Sequence, residues 1–115
     1  MDLTPYIERG EVWLLEEDGE PIALTVLEPR PDYLHIGSLA VRPDRQGRGH
    51  ATRLLEFAAE RARAGGFGRL GLDVNDHMEH TLAVYRHHGF VATRSWPHRT
   101  RAGQMMLAMV KELTR

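Results

Sequence analysis

The chain has 115 residues, 42% of them hydrophobic and 27% charged, with a formal net charge of −1. That length suits a single domain, the composition is that of a folding chain, and the charge balance argues against a dedicated nucleic-acid binder, which is usually strongly basic. The lack of cysteine excludes disulfides, thiolate metal sites and a cysteine nucleophile, while the lack of a leader or of an apolar run near the ~18 residues of a membrane span points to a cytoplasmic protein away from membranes.

Thr4-Pro5 reads as an N-cap followed by proline at the first helical position, with Gly10 as the stop of a short helix. Two apolar runs, Val12 to Leu15 and Ile22 to Leu27, are joined through Asp18-Gly19, a strong hairpin signal. Pro29 and Pro31 close the second strand. A third strand, Tyr33 to Val41, changes parity: Leu34 and Ile36 are even, Leu39 and Val41 odd. This slip across Gly37-Ser38 predicts a β-bulge, because one extra residue returns both halves to the same face; the alternative is a plain strand with Gly37 and Ala40 as small fillers.

After a glycine-rich turn, Ala51, Leu54, Leu55, Ala58 and Ala62 recur with helical spacing up to Gly65-Gly66. A strand at Leu70 to Val74 follows, then a helix at Glu79 to His88 stopped by Gly89, and a final strand pair at Phe90 to Trp96 and Gln104 to Val110. Hairpin, strand, helix, strand, helix, hairpin is the order of a mixed α/β or α+β domain, with one parallel crossover between the third and fourth strands.

Charge is segregated along the chain. Residues 1 to 32 hold nine acids and two bases, and the remainder thirteen bases and seven acids. Arg42, Arg45, Arg48 and Arg53, against Asp44, crowd the segment from Val41 to Arg53, which joins a strand end, a glycine-rich turn and a helix start. Unpaired N–H groups at a helix start carry partial positive charge, and glycine allows close approach to them, so a phosphate or pyrophosphate ligand is expected. The segment lacks the lysine that a phosphate-binding P-loop requires after its glycines, and Thr52 stands where a dinucleotide fingerprint needs its third small residue. The competing reading is an Arg-rich solvated turn capping a structural helix.

Gln46-x-x-Gly49-x-Ala51, after Val41-x-Pro43, resembles the acyl-CoA signature of the GNAT superfamily of N-acyltransferases. A second block in register, Val74-Asn75, Val84-Tyr85 and Gly89-Phe90, extends the resemblance over about residues 11 to 113. The resemblance implies a GNAT-like mixed, mostly antiparallel sheet with a parallel splayed pair and flanking helices, N-terminally shortened. It implies that backbone amides of Gln46, Gly47, Arg48, Gly49, His50, Ala51 and Thr52 hold the pyrophosphate of acetyl-CoA, and that Leu39 and Val41 bond its pantetheine. In the family the bulge presents an N–H to the thioester carbonyl, and Tyr85 matches the tyrosine that protonates the departing thiolate. A phenol near about pKa 10 and a thiol near about 8.5 make that donation reasonable, and without cysteine the simplest reaction is direct attack by an amine.

The acceptor, a small-molecule or peptide amine, must first lose a proton, since an ammonium of pKa about 10.4 is neutral in only about one molecule in 2,500 at pH 7. Acids frequent in the family's third strand are replaced here by His35, Gly37 and Ser38, leaving His35, or Glu17 or Glu28 through water, as candidate bases. Met78 aligns with a CoA-bonding asparagine, with Asn75 as a nearby substitute, and His77-x-x-His80 lacks a third metal ligand, so no metal is expected. The short front predicts an acceptor site that is open or completed by another chain, and an unprotected first strand that suggests a homodimer. The rival reading is a catalytically weak acyl-CoA-binding regulatory module.

Overall fold

The structure, a computed structural model, describes residues 11–113; the expected helix at Thr4 to Arg9 lies outside them. In chain order the elements are β1 (Glu11–Glu17), β2 (Glu20–Pro29), β3 (Leu34–Val41), α1 (His50–Ala64), β4 (Arg69–Asn75), α2 (Glu79–His87), β5 (Val91–Pro97) and β6 (Met105–Glu112). The six strands make one sheet in the order β1-β2-β3-β4-β6-β5. Only β3 and β4 run parallel among the described residues.

The β1–β2 hairpin turns through Asp18 (φ 53°) and Gly19 (φ 80°). Positive φ at both positions is what a two-residue type I′ turn demands, and its twist matches that of the strands. Both strands run further into charged residues than their apolar cores suggest, because the backbone ladder continues to the turn at Glu17 and Glu20. The bulge foreshadowed by the parity change is present: Val26 pairs with Ser38 and Leu27 with Ile36, leaving Gly37 without a partner on β2. The extra residue puts Leu39 on the face of Leu34 and Ile36, where it packs against the core.

That face carries the helices. Leu55, Ala58, Ala59 and Ala62 of α1 meet Leu27, Leu34 and Ile36 on one side and Leu70, Leu72 and Val74 on the other. Alanine at 58 and 62, both wholly buried, lets α1 lie close to the sheet. Leu82 of α2, Phe90 and Met109 complete the cluster, and each fully buried large apolar side chain contributes on the order of 1.5–3 kcal/mol. Gly66 (φ 81°) closes α1, donating its N–H to the Arg63 carbonyl at 3.1 Å.

The β3–β4 ladder is short. It consists of Leu34 against Leu70 and His35 against Gly71, after which the two strands part. Beyond the bulge, β3 remains paired with β2 and has no strand partner on its β4 side. Among the described residues no helix is long and apolar enough to cross a membrane.

Candidate active site

A groove of about 320 Å³ opens where β3 and β4 part. Its floor is Leu39 and Val41, one end is the turn into α1, and the far wall is α2. After Pro43–Arg45 forms a single 3₁₀ turn, the chain passes through Gly47 (φ 79°) and Gly49 (φ 82°), left-handed conformations that favour glycine. A Cβ at either position would meet no atom within 4 Å. Gly49 caps α1 without any side-chain hydrogen bond, so the cap gives the first amides of the helix no side-chain acceptor, and Gly49, His50, Ala51 and Thr52 all line the groove. Fifteen residues of helix dipole add to their positive potential.

Two hydrogen bonds brace this arrangement. Gln46 Nε2 donates to the Val41 carbonyl at 3.2 Å, fixing the turn to the end of β3. Thr52 Oγ1 lies 3.0 Å from His88 Nε2, linking the start of α1 to the end of α2. Arg42 is held by Asp44 at 2.8 Å and Arg45 by the same carboxylate at 3.0 Å. Arg45 Nε also faces Glu17 at 3.4 Å, close enough for attraction but without hydrogen-bond geometry. His50 is buried beneath the turn, its ring nitrogens unpartnered and Glu17 Oε2 3.8 Å away.

Tyr85 lines the groove from α2, its ring 5.7 Å from that of Phe90. Burial pushes its phenol above the ordinary value of 10.0, so it stays protonated as a hydrogen-bond and proton donor.

Nine of the fourteen candidate residues singled out from the sequence line this groove: Leu39, Val41, Gln46, Gly47, Gly49, His50, Ala51, Thr52 and Tyr85. Five do not, among them the candidate bases Glu17 and Glu28. Arg48 belongs to the turn but is not part of the lining. Asn75 shapes the end of β4: its Oδ1 accepts from the His77 N–H at 2.8 Å and its Nδ2 donates to Gln104 Oε1 at 2.6 Å. His35 sits at the last parallel pair on the sheet's other face, edge-on to Tyr33 at 5.8 Å. Burial lowers its pKa, the nearby Asp73 carboxylate opposes this, Arg30 reinforces it and Glu28 opposes it. Arg45, His80, Thr81 and Val84 also line the groove. The last three were discoverable, since they share a helical face with Tyr85 at i−5, i−4 and i−1. Among the described residues no three His, Asp or Glu side chains gather as a metal site.

A sheet opened between its parallel strands, with a glycine turn and helix start at the mouth, defines the acetyltransferase architecture, and the family model described as the acetyltransferase (GNAT) family matches residues 2–90. The chain belongs to the GNAT acetyltransferase family. It is 29% identical over 90 residues to the uncharacterized N-acetyltransferase YjgM of Escherichia coli (strain K12), covering 74% of this chain and 54% of that protein. This chain thus spans about half the length of that curated relative. Its fold matches a GNAT family acetyltransferase from Elizabethkingia anophelis solved with acetyl-CoA bound, with a TM-score of 0.85 at 22% identity over 96% of this chain and 80% of the other. It also matches an IAA acetyltransferase from Bacillus cereus ATCC 14579, with a TM-score of 0.80 at 25% identity over 95% and 81%.

Proposed function

We propose that this chain transfers the acetyl group of acetyl-CoA directly to the nitrogen of an amine. The observation that carries the reading is the single groove that joins a helix-start amide turn, the unpartnered edge of β3 and Tyr85. The residues fit the donor: amides from Gln46 to Thr52 suit the pyrophosphate, and open space at Gly47 and Gly49 admits it. Leu39 and Val41 offer backbone groups that hydrogen-bond an extended pantetheine in place of the missing strand. The thioester then lies where β3 and β4 meet, beside the bulge at Gly37. There a backbone N–H stabilises the oxyanion that develops on attack, a donor of the kind worth roughly 10²–10³ in rate. Tyr85 supplies the proton that the leaving thiolate takes.

The acidic first third of the chain suits a cationic acceptor, such as a polyamine, an aminoglycoside or a peptide amine. Release of CoA thiol from acetyl-CoA is the decisive assay, run across a panel of such amines with the N-acetyl product identified by mass spectrometry. Amine-dependent release supports the reading. Tight acetyl-CoA binding with no amine-dependent release across the panel overturns it and leaves an acyl-CoA-binding module.

A further inference from the structure

Direct transfer requires a destination for the proton that the acceptor nitrogen loses, and the face of the sheet opposite the helices supplies one. Leu27 is buried in the helix-side core, so Glu28, next on β2, projects to the other face. Two positions beyond His35, its register partner, β3 carries the extra residue Gly37. A Cβ built at Gly37 would fall 2.6 Å from Glu28 Oε1 and 2.9 Å from its Cδ. The carboxylate therefore occupies the space that a side chain at position 37 would take. Gly37 is not among the glycines with positive φ, so the backbone does not demand glycine there; the absence of a side chain makes room for Glu28.

We propose that Glu28 is the catalytic residue that accepts the proton from the acceptor amine, directly or through one water. The inference rests on the acetyl-transfer reading, which places the thioester beside this bulge. The other candidate bases are placed differently. Glu17 lies with Arg45 and His50 under the amide turn, at the opposite end of the groove. His35 has a buried Nδ1 without a hydrogen-bond partner, and is held in the last parallel pair, opposite Gly71, before the strands part. Beside the Glu28 carboxylate stands Arg30, 3.3 Å from Oε1, and its register partner on β3 is His35, on which the Asp73 carboxylate of β4 also acts.

The step balances with these groups. The acceptor, its ammonium proton first released to water, attacks as the neutral amine: its nitrogen bonds to the thioester carbon and the carbonyl π pair moves to oxygen, facing the bulge amide. The nitrogen's proton passes to Glu28; the carbonyl re-forms, the C–S bond breaks and the thiolate takes the Tyr85 proton. Glu28 then releases its proton to water and Tyr85 regains one, leaving an amide and CoA thiol.

The test is a set of variants assayed for acetyl-CoA affinity by calorimetry and for kcat with an amine that the wild type acetylates. Glu28→Gln is expected to lose about 10²-fold or more in kcat with acetyl-CoA Kd within about twofold, and Glu28→Asp to recover part of the rate. Gly37→Ala, which displaces the carboxylate, is expected to lower kcat about tenfold in the wild type and to add less than about twofold in a Glu28→Ala background. Glu28→Gln keeping kcat within about threefold, or Gly37→Ala acting equally in both backgrounds, overturns the assignment while the wild type's own turnover upholds acetyl transfer. Absence of amine-dependent release in the wild type sinks both.

Discussion

Replacing Gly49 by alanine separates a phosphate cradle from a mere helix cap. Gly49 immediately precedes α1 with φ 82°, and an added Cβ has no atom within 4 Å. Steric conflict within the protein therefore contributes nothing. The cost is that of holding an L residue in the left-handed region, about 1–2 kcal/mol. For a chain of this size roughly 4 °C of Tm is lost per kcal/mol, so thermal unfolding should come about 4–8 °C earlier. Gly103, in the loop between β5 and β6, has φ 80° and equally empty surroundings, making Gly103→Ala a matched control with the same expected loss. The two variants differ in what faces the new methyl, since Gly49 lines the groove and Gly103 does not. Calorimetric titration with CoA should show Kd raised at least about tenfold, equivalent to 1.4 kcal/mol, in Gly49→Ala and changed by less than about twofold in Gly103→Ala. If Gly49→Ala melts early but binds CoA as the wild type does, the turn only caps the helix and the phosphate assignment is wrong.

Tyr85→Phe removes the donor while keeping the ring against Phe90; kcat for amine acetylation should fall about 10²-fold with acetyl-CoA affinity unchanged, and an undiminished kcat would remove Tyr85 from the chemistry. Met109→Ala, at a wholly buried position of β6, should cost about 2–5 kcal/mol by urea denaturation; a loss below about 1 kcal/mol would mean that the core is not packed as described. Burial holds His35 below its ordinary pKa of 6.5, so as pH falls the unfolded chain takes up the proton first and stability declines from 6.5 toward the lower folded value. Wild type should therefore lose more stability than His35→Gln between about pH 7.5 and 5.5; equal losses would show that His35 is not desolvated in the folded state.

The parts of this fold that were legible in the sequence are those encoded by neighbours along the chain. Asp18-Gly19 specifies a turn through its own dihedral freedom, and the change of parity between Ile36 and Leu39 reports a bulge, because alternation is a local property of one strand. The Leu and Ala stripe of α1 likewise carries its own period. The glycine turn was readable for the same reason. What escaped depends on which residues meet across elements. The bond from the His77 amide to Asn75 is a local Asx turn, but nothing local indicates that Asn75 also donates to Gln104, 29 residues on. Nor does the sequence show that Glu28 lies over Gly37, which follows only from the β2–β3 register at the bulge. The spacing of His80, Thr81 and Val84 before Tyr85 was available, but which face of α2 meets the groove is set by Leu82 packing into the core.

The two residue pairs that join β3 to β4 divide the sheet into three-stranded halves, β1-β2-β3 and β4-β6-β5, hinged at one end. A ligand seated in the gap supplies backbone partners that the protein itself lacks, so occupancy and cohesion between the halves become one thermodynamic quantity. At a free donor concentration a hundredfold above Kd, the folded state gains about 2.7 kcal/mol by mass action. Much of that gain would fall on the least supported seam of the molecule, where slowed amide exchange at Leu39 to Val41 would reveal it. On the proposed acetyl-transfer reading, the donor would serve as a seventh strand that arrives with each turnover and leaves with its thiol.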